Sequence, residues 1–332
     1  MSPSPAIVLE KFNMLGFSSP LLLAPLAGYS DAPFRLLCRS LGAGLCVSEM
    51  ISAQAIIYRQ KKTCDMLRFF AAERPVSLQL FGADPGIMAE AAAFISGLAN
   101  EARPDFIDLN MGCPVKKVTK KGAGVALMAT PSLAETIIRQ VCQVTDIAVT
   151  VKIRAGINAT DRGAVEFAKM AEGAGAKAVA VHGRTWAQQF SGQADWSVVA
   201  AVKRALRIPV IGNGDIASRD EAFLRLDESG CDAVMIGRAA LKNPFLFHEC
   251  GEAPLAEIVR FALRHLDLAL AYGQAIAPLR MRLAAYFHDF RGSSQIRCQL
   301  VACATETELR AALMTIAKAI TETAAVNGAV IS

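Results

Sequence analysis

The stretch IAVTVKIR, residues 147 to 154, decides the fold together with the runs that follow it, KAVAVH at 177 to 182, IPVIGN at 208 to 213 and DAVMIG at 232 to 237. Each is apolar on both alternations, the pattern of a parallel strand covered on both faces. Helix-compatible sequence separates one run from the next, which makes successive βα units. Toward the N-terminus the pattern continues through LLLAPL (21 to 26), LCVSEM (45 to 50), VSLQLF (76 to 81) and FIDLN (106 to 110). Eight such runs predict a closed (β/α)8 TIM barrel, which typically needs about 250 residues. The chain has 332, and beyond Asn243-Pro244 its pattern turns helical, over roughly 254 to 272, 276 to 291 and 305 to 324, with Gly251, Gly273 and Gly292-Ser293-Ser294 as breaks. Residues 1 to 250 are therefore expected to form the barrel and 251 to 332 a small all-helical domain.

Bulk properties narrow the function less than the fold. Hydrophobic residues make up 53% and charged residues 20% of the chain, enough apolar material for a sizeable core and too little charge for extensive disorder. The net charge of +5 is compatible with a polyanionic partner without requiring one. Nine scattered cysteines, none at zinc-knuckle or redox spacing, read as reduced thiols, and no metal is expected. The apolar stretch at 21 to 27 is interrupted by Pro25 and is a poor signal peptide. No run is long enough for a membrane span, so a cytoplasmic protein is expected; a monomer is expected as well.

Most runs stay apolar until a polar or glycine residue near their ends: Glu49, Gln79, Asn110, Lys152, His182, Asn213 and Gly237. In a barrel these fall on the C-terminal rim, where loops on a rigid scaffold build active sites. IGNGDIAS (211 to 218) and IGRAA (236 to 240) place glycines between the seventh and eighth strands and the helices that follow. Backbone N–H groups there can approach a phosphate. Gly212, Gly214 and Ala217 also spell a dinucleotide fingerprint by letter, but late in a barrel rather than in an opening βαβ unit. Lys152, inside an otherwise buried run, needs an anionic partner. Glu49 is one candidate, and a flavin ring that gains negative charge on reduction is another.

The segment NMGCPVKKVTKKGAGVAL (110 to 127), with PLAGYSDAPFR (25 to 35), QLFG (79 to 82), VKIR (151 to 154), HGRT (182 to 185), NGDI (213 to 216) and IGRA (236 to 239), resembles the tRNA dihydrouridine synthases, and among them the bacterial B branch. The likeness runs from about residue 20 to 250 and is weaker beyond. It implies FMN as cofactor, NADPH as electron donor and tRNA as substrate. Pro25, Leu26 and Ala27 match the segment lying against the flavin, with Leu26 where methionine is common. Gln79 matches a contact to the ring edge, Lys152 the contact to N1 and O2, and His182 a ring or phosphate contact. Asn213, Gly214, Asp215, Gly237 and Arg238 match the phosphate cradle, and Cys113 the acid that protonates C5 of uracil while hydride reaches C6. A thiol suits that role because it is mostly protonated at neutral pH.

RNA contacts are expected from Lys116, Lys117, Lys120 and Lys121, four cations in six residues with no acid among them, and from Arg184. In the helical region Arg280, Arg282, Arg291 and Arg297 with His288 form a second basic stretch. Since residues 251 to 332 carry eight basic and seven acidic side chains, any RNA surface there must be a patch. The branch likeness points to uridine 17 of the D loop. Two other readings stay open: a flavin barrel dehydrogenase of free pyrimidines, and a non-catalytic tRNA-binding factor.

Overall fold

The computed structural model describes residues 17–160 and 163–328, and the side chains of these up to residue 320; the apolar stretch at 21 to 27 lies within them and begins with a strand of the barrel. By its internal contacts the chain divides into Met1–Gly237 and Arg238–Ser332, a division that falls before the residue 250 expected from the sequence.

The first unit is a closed barrel of eight parallel strands in sequential order. They are β1 (Leu21–Leu23), β2 (Cys46–Ser52), β3 (Val76–Phe81), β4 (Phe106–Asn110), β5 (Ala148–Arg154), β6 (Ala178–His182), β7 (Val210–Asn213) and β8 (Ala233–Ile236). Pairing of Leu21 to Leu23 with Val234 to Ile236 closes the ring. All eight expected strands are present, β3 and β4 at the expected limits. β1 stops at Leu23, because Pro25 cannot donate to a ladder.

Five of the helices between the strands start from side-chain caps. Asp31, Ser52, Asp84, Asp195 and Ser218 each accept a backbone N–H of the first turn that has no intrahelical partner. These helices cover the outer face of the sheet.

Alternation along each strand fills the barrel in layers. Phe106, Ala178, Ile211 and Ala233, with Leu22, Leu45, Val47 and Ala148, make an apolar floor, into which Phe17 packs at 5.6 Å from the Phe106 ring. Two residues further up the same inward faces, the floor gives way to Gln79, Asp108 and Thr150. The strand register sets these three side by side, Gln79 opposite Asp108 and Asp108 opposite Thr150. Another two residues on, Asn110 lies opposite Lys152 and His182 opposite Asn213. Polarity therefore rises along the barrel axis toward the C-terminal rim.

In the second unit the short helix Arg238–Lys242 is followed by the longer helices Leu255–Ala271, Ile276–Ala284, Ser293–Ala302 and Glu306–Gly328. The helix expected over 276 to 291 ends at Ala284. Tyr286 and Phe287 turn into the core, 3% and 0% exposed, and Asp289 and Gly292 take the left-handed φ values of +59° and +88°. The next helix begins within the supposed Gly292-Ser293-Ser294 break. It is invisible to periodicity because Leu300 is its one fully buried residue. Phe261 packs 5.3 Å from Phe245 and 5.1 Å from Tyr286, whose hydroxyl lies 2.7 Å from His265 Nδ1.

Candidate active site

Asn110 ends β4, and its side chain ties the next loop down. Its Oδ1 accepts the backbone N–H of Cys113 at 3.0 Å and of Gly112 at 3.3 Å, and its Nδ2 donates to Gln79 Oε1 at 2.8 Å. Gln79 Nε2 in turn donates to Asp108 Oδ2 at 2.7 Å, and Thr150 donates to Asp108 Oδ1 at 2.6 Å. Cys113 is also held from its other side, where its carbonyl accepts Val125 N–H at 3.1 Å. Gly124, at φ +65°, is obligatory there: a Cβ would stand 2.6 Å from the Cys113 carbonyl oxygen. The Cys113 thiol is half-buried, and burial raises its pKa, partly offset by the Val115 backbone N–H and by the charges of Arg154 and Lys152. A raised pKa keeps the proton on sulfur at neutral pH, the state a proton donor needs.

Lys152 Nζ donates to Asn213 Oδ1 at 2.8 Å, and Asn213 Nδ2 donates to the Met235 carbonyl at 2.9 Å. Part of Lys152 opens to the barrel mouth, yet protein surrounds it densely. Burial and then the repulsion of Arg154 lower its pKa to about 8, against the attraction of Asp108. Glu49, the carboxylate considered as its partner, instead accepts the backbone N–H of Gly28. Glu49 lies where the β2–β3 register shifts between Val47 and Met50. Its neighbour Ser48 accepts Gln79 N–H at 2.9 Å.

On the opposite arc of the rim, Gly214 (φ +131°) has no room for a side chain, since a Cβ would lie 2.5 Å from Ala194 Cβ. Asp215, in the left-handed region at φ +52°, turns its carboxylate to Ala194 N–H at 2.8 Å and to Arg184 at 2.7 Å. Its backbone is thus the part that could serve an anion, as expected of a cradle residue, and its carboxylate clamps the loops after β6 and β7 together. Gly212, the first letter of the dinucleotide fingerprint, is a packing glycine: a Cβ would stand 2.3 Å from the Trp196 ring. His182 Nδ1 accepts Arg184 N–H at 3.0 Å.

Arg184 itself is expected from the sequence to reach RNA. The structure corrects this: the residue is 4% exposed and bonds the carbonyls of Ser191 at 3.0 Å and Gly192 at 2.5 Å, because a guanidinium taken from water must be matched by acceptors. An RNA role for it is not compatible with that burial. Sequence does not single out Arg154, although it ends the same run as Lys152. It is 3% exposed and links the carbonyl of Gly112 (2.8 Å) to those of Thr185 (2.9 Å) and Gln189 (2.7 Å). Asp108 escapes the sequence reading as well, though a carboxylate inside FIDLN is the same signal as a lysine inside VTVKIR.

Several features fit a flavin. A buried cation bonded to a neutral amide calls for an anion. Arg184 Nη1 is buried without a hydrogen-bond partner, beside the Asp215 clamp. At Gly237 protein packing does not demand a glycine, since a Cβ would meet nothing nearer than Leu26 Cδ2 at 3.8 Å. A close ligand would demand one. Pro25 and Leu26 are half-buried and Ala27 exposed at the end of β1. Arg238, the remaining cradle residue, is exposed and opens the second unit.

The sequence model of the family described as dihydrouridine synthase matches residues 22–323. This chain belongs to the dihydrouridine synthase family. It is accordingly a flavin-dependent oxidoreductase. Its relatives include a protein of Pseudomonas aeruginosa called tRNA-dihydrouridine synthase B, 41% identical over 84% of this chain and 87% of its own. A probable tRNA-dihydrouridine synthase of Mycobacterium tuberculosis is 39% identical over 93% and 84%. The tRNA-dihydrouridine synthase B of Vibrio parahaemolyticus is 39% identical over 83% and 89%.

Lys116, Lys117, Lys120 and Lys121 are all exposed, on and beside the short helix Lys116–Thr119, which buries Val118. The arginines of the helical unit fare otherwise. Arg280 Nη1 donates to the Cys303 carbonyl at 2.7 Å and Arg297 Nη1 to the Phe287 carbonyl at 2.7 Å. Arg282 is half-buried with a 3.3 Å bond to Gln274, and Arg291 is exposed. His288 pairs with Asp289 at 2.5 Å. All nine cysteines are unpaired. Among the described residues no group of three His, Cys, Asp or Glu side chains is placed for a metal, and no helix is long and apolar enough to cross a membrane.

Proposed function

We propose that the chain is a cytoplasmic tRNA-dihydrouridine synthase that uses FMN and NADPH to reduce the C5=C6 bond of a uridine in the tRNA D loop, at position 17. The observation that carries the reading is the placement of Cys113, a protonated thiol fixed at both backbone ends on the barrel rim between Asn110 and the exposed lysines. A bound reduced flavin would supply hydride to C6. Cys113 gives its proton to C5 from the other face of the ring, and the nearby Lys152 and Arg154 charges favour the thiolate left behind. Lys152 would hold negative charge on the flavin ring, with Asn213 fixing the ammonium. Pro25, Leu26, Ala27 and His182 would border the ring, while backbone N–H groups of Asn213, Gly214, Asp215, Gly237 and Arg238 would hold the phosphate; Gln79, 1% exposed and bonded through both amide atoms to Asn110 and Asp108, would act through Asn110. Lys116, Lys117, Lys120, Lys121 and Arg291 neutralise RNA phosphates, which offsets the cost of extruding the base.

The exposed lysine loop favours this over reduction of a free pyrimidine, which needs no polycation, and the tethered thiol favours it over a non-catalytic RNA-binding factor. Purified protein should be yellow and release FMN, and bulk tRNA from a strain lacking the gene should reoxidise its reduced flavin with dihydrouridine appearing in the D loop. Reoxidation by free uracil and not by tRNA would overturn the proposal, as would a protein that takes up no flavin.

A further inference from the structure

We propose that Asp108 is a positioning residue for the proton-transfer step: it sets the direction of the buried hydrogen-bond chain that holds Cys113. This inference rests on the reading of Cys113 as proton donor. The chain has one end whose polarity cannot change and another that presents an acceptor in the arrangement observed. At one end the backbone N–H groups of Cys113 and Gly112 can only donate. At the other the Asp108 carboxyl group faces Gln79 with an oxygen. Between them stand two side-chain amides, Gln79 and Asn110, each of which could in principle be turned by a half-rotation.

Only one arrangement satisfies every member. Asn110 presents Oδ1 to the loop, so its Nδ2 faces Gln79; Gln79 then presents Oε1 to Asn110, and its Nε2 faces Asp108. Turning both amides would set the Gln79 oxygen against the Asp108 oxygen and the Asn110 amino group against the Cys113 N–H. Two bonds would become two repulsions at a site where Gln79 is 1%, Asp108 2% and Asn110 8% exposed. Buried polar groups left in that state cost far more than exposed ones. Thr150 completes the logic. Its hydroxyl, 2.6 Å from Asp108 Oδ1, can either donate or accept, so Asp108 keeps an acceptor for Gln79 whether or not its carboxyl group is protonated. Burial does raise the Asp108 pKa. What the residue supplies is therefore direction rather than charge.

That distinction makes the proposal testable with substitutions that conserve volume. In Asp108→Asn the new Oδ1 can face Gln79 while the new Nδ2 faces the Thr150 oxygen, and the chain keeps its direction. In Asn110→Asp a carboxyl group stands on each side of Gln79, so the chain is satisfied only if one of the two takes up a proton, and a proton held there is what should move the pH profile. The double variant Asp108→Asn with Asn110→Asp satisfies the chain with both links reversed. The amide now at position 108 donates to Gln79 Oε1, Gln79 Nε2 donates to the carboxylate now at position 110, and that carboxylate still accepts from Cys113 N–H.

The variants would be purified with flavin bound, and retention of flavin would show that each is folded. Two rates are then followed: alkylation of Cys113 by iodoacetamide as a function of pH, read on the Cys113 peptide, and single-turnover reoxidation of the reduced flavin by bulk tRNA. Asp108→Asn should stay within about threefold of the wild type, Asn110→Asp should shift the alkylation profile by about tenfold, and the double variant should return toward the wild type, a non-additivity expected of coupled neighbours. Additive effects, or an Asp108→Asn variant as impaired as Asn110→Asp, would overturn the proposal. A restored alkylation profile in the double variant supports it even if wild-type flavin is not reoxidised by tRNA, an outcome that would instead overturn the functional reading.

Discussion

Two groups of cations flank Cys113, and the protein uses them in opposite ways. Lys152 stands inside the barrel mouth, densely surrounded, with an amide oxygen as its hydrogen-bond partner and a pKa lowered to about 8. Lys116, Lys117, Lys120 and Lys121 lie on the outer loop that continues from Cys113, all exposed. A cation of the first kind costs stability until an anion arrives at one defined point. Cations of the second kind act over a Debye length and yield to salt. On the function proposed, the same residue type would do short-range chemistry on one side of Cys113 and long-range attraction on the other. The arginines of the helical unit add a third outcome, since Arg280 and Arg297 are bonded to carbonyl groups of their own unit.

The largest expected effect falls on the junction itself. Cys113→Ala should still be reduced by NADPH but should pass electrons to tRNA about 100- to 10,000-fold more slowly, the usual contribution of general acid catalysis. A loss of less than about tenfold in single-turnover reoxidation would remove Cys113 from the proton-donor role, and the comparison would lose its centre.

The interior cation should reveal itself by pH. The folded-state pKa of Lys152 is lowered from 10.5 to about 8, so between these values the flavin-free native state binds fewer protons than the unfolded chain. Its stability should therefore rise with pH across that window, with the full cost of the buried charge present below it. On the function proposed, reduced flavin would bind the protonated lysine. Its affinity should fall by up to about tenfold per pH unit above about 8, and this slope should vanish in Lys152→Met. A flat profile in the wild type would show that the ammonium does not face the flavin.

Next in size, Arg280→Ala or Arg297→Ala should lower unfolding free energy by about 1.5–3 kcal/mol, the range for hydrogen bonds to charged groups, with little change in tRNA affinity per folded molecule. Arg291→Ala should show the reverse. Chemical denaturation beside tRNA titration separates the two.

The smallest effect belongs to the outer lysines. Changing Lys120 and Lys121 to alanine should leave flavin content and NADPH reduction intact, while the logarithm of tRNA affinity becomes less steep in the logarithm of salt by up to about 0.7–0.9 for each phosphate no longer neutralised. An unchanged slope would make this loop a solvated face and place the RNA elsewhere.

Much of this is legible in the order of the residues alone. Eight apolar runs place the strands because burial on both faces leaves a continuous signature, and Lys152 stands out because an ammonium within such a run must have a reason. Asp108 carries the same signal in FIDLN and is easily overlooked, since a single carboxylate in five residues does not say which face of the strand it is on. The helix Ser293–Ala302 leaves almost no pattern because it buries little of itself. Charge counts mislead most in the case of arginine. Arg184 and Arg297 look alike in sequence to Arg291, and nothing local to them tells which carbonyl groups will lie within reach.

By itself the sequence determined the barrel, the rim and the identity of the residues on it, because strand periodicity and loop chemistry are local properties. Only the tertiary structure decided that Gln79, Asp108 and Asn110 form one directed chain, that Lys152 turns to Asn213 and not to Glu49, and which cations remain on the surface. Those outcomes depend on the register between strands and on hydrogen-bond partners distant along the chain, 31 residues apart for Gln79 and Asn110 and 61 for Lys152 and Asn213, and closing the barrel is what brings such partners together.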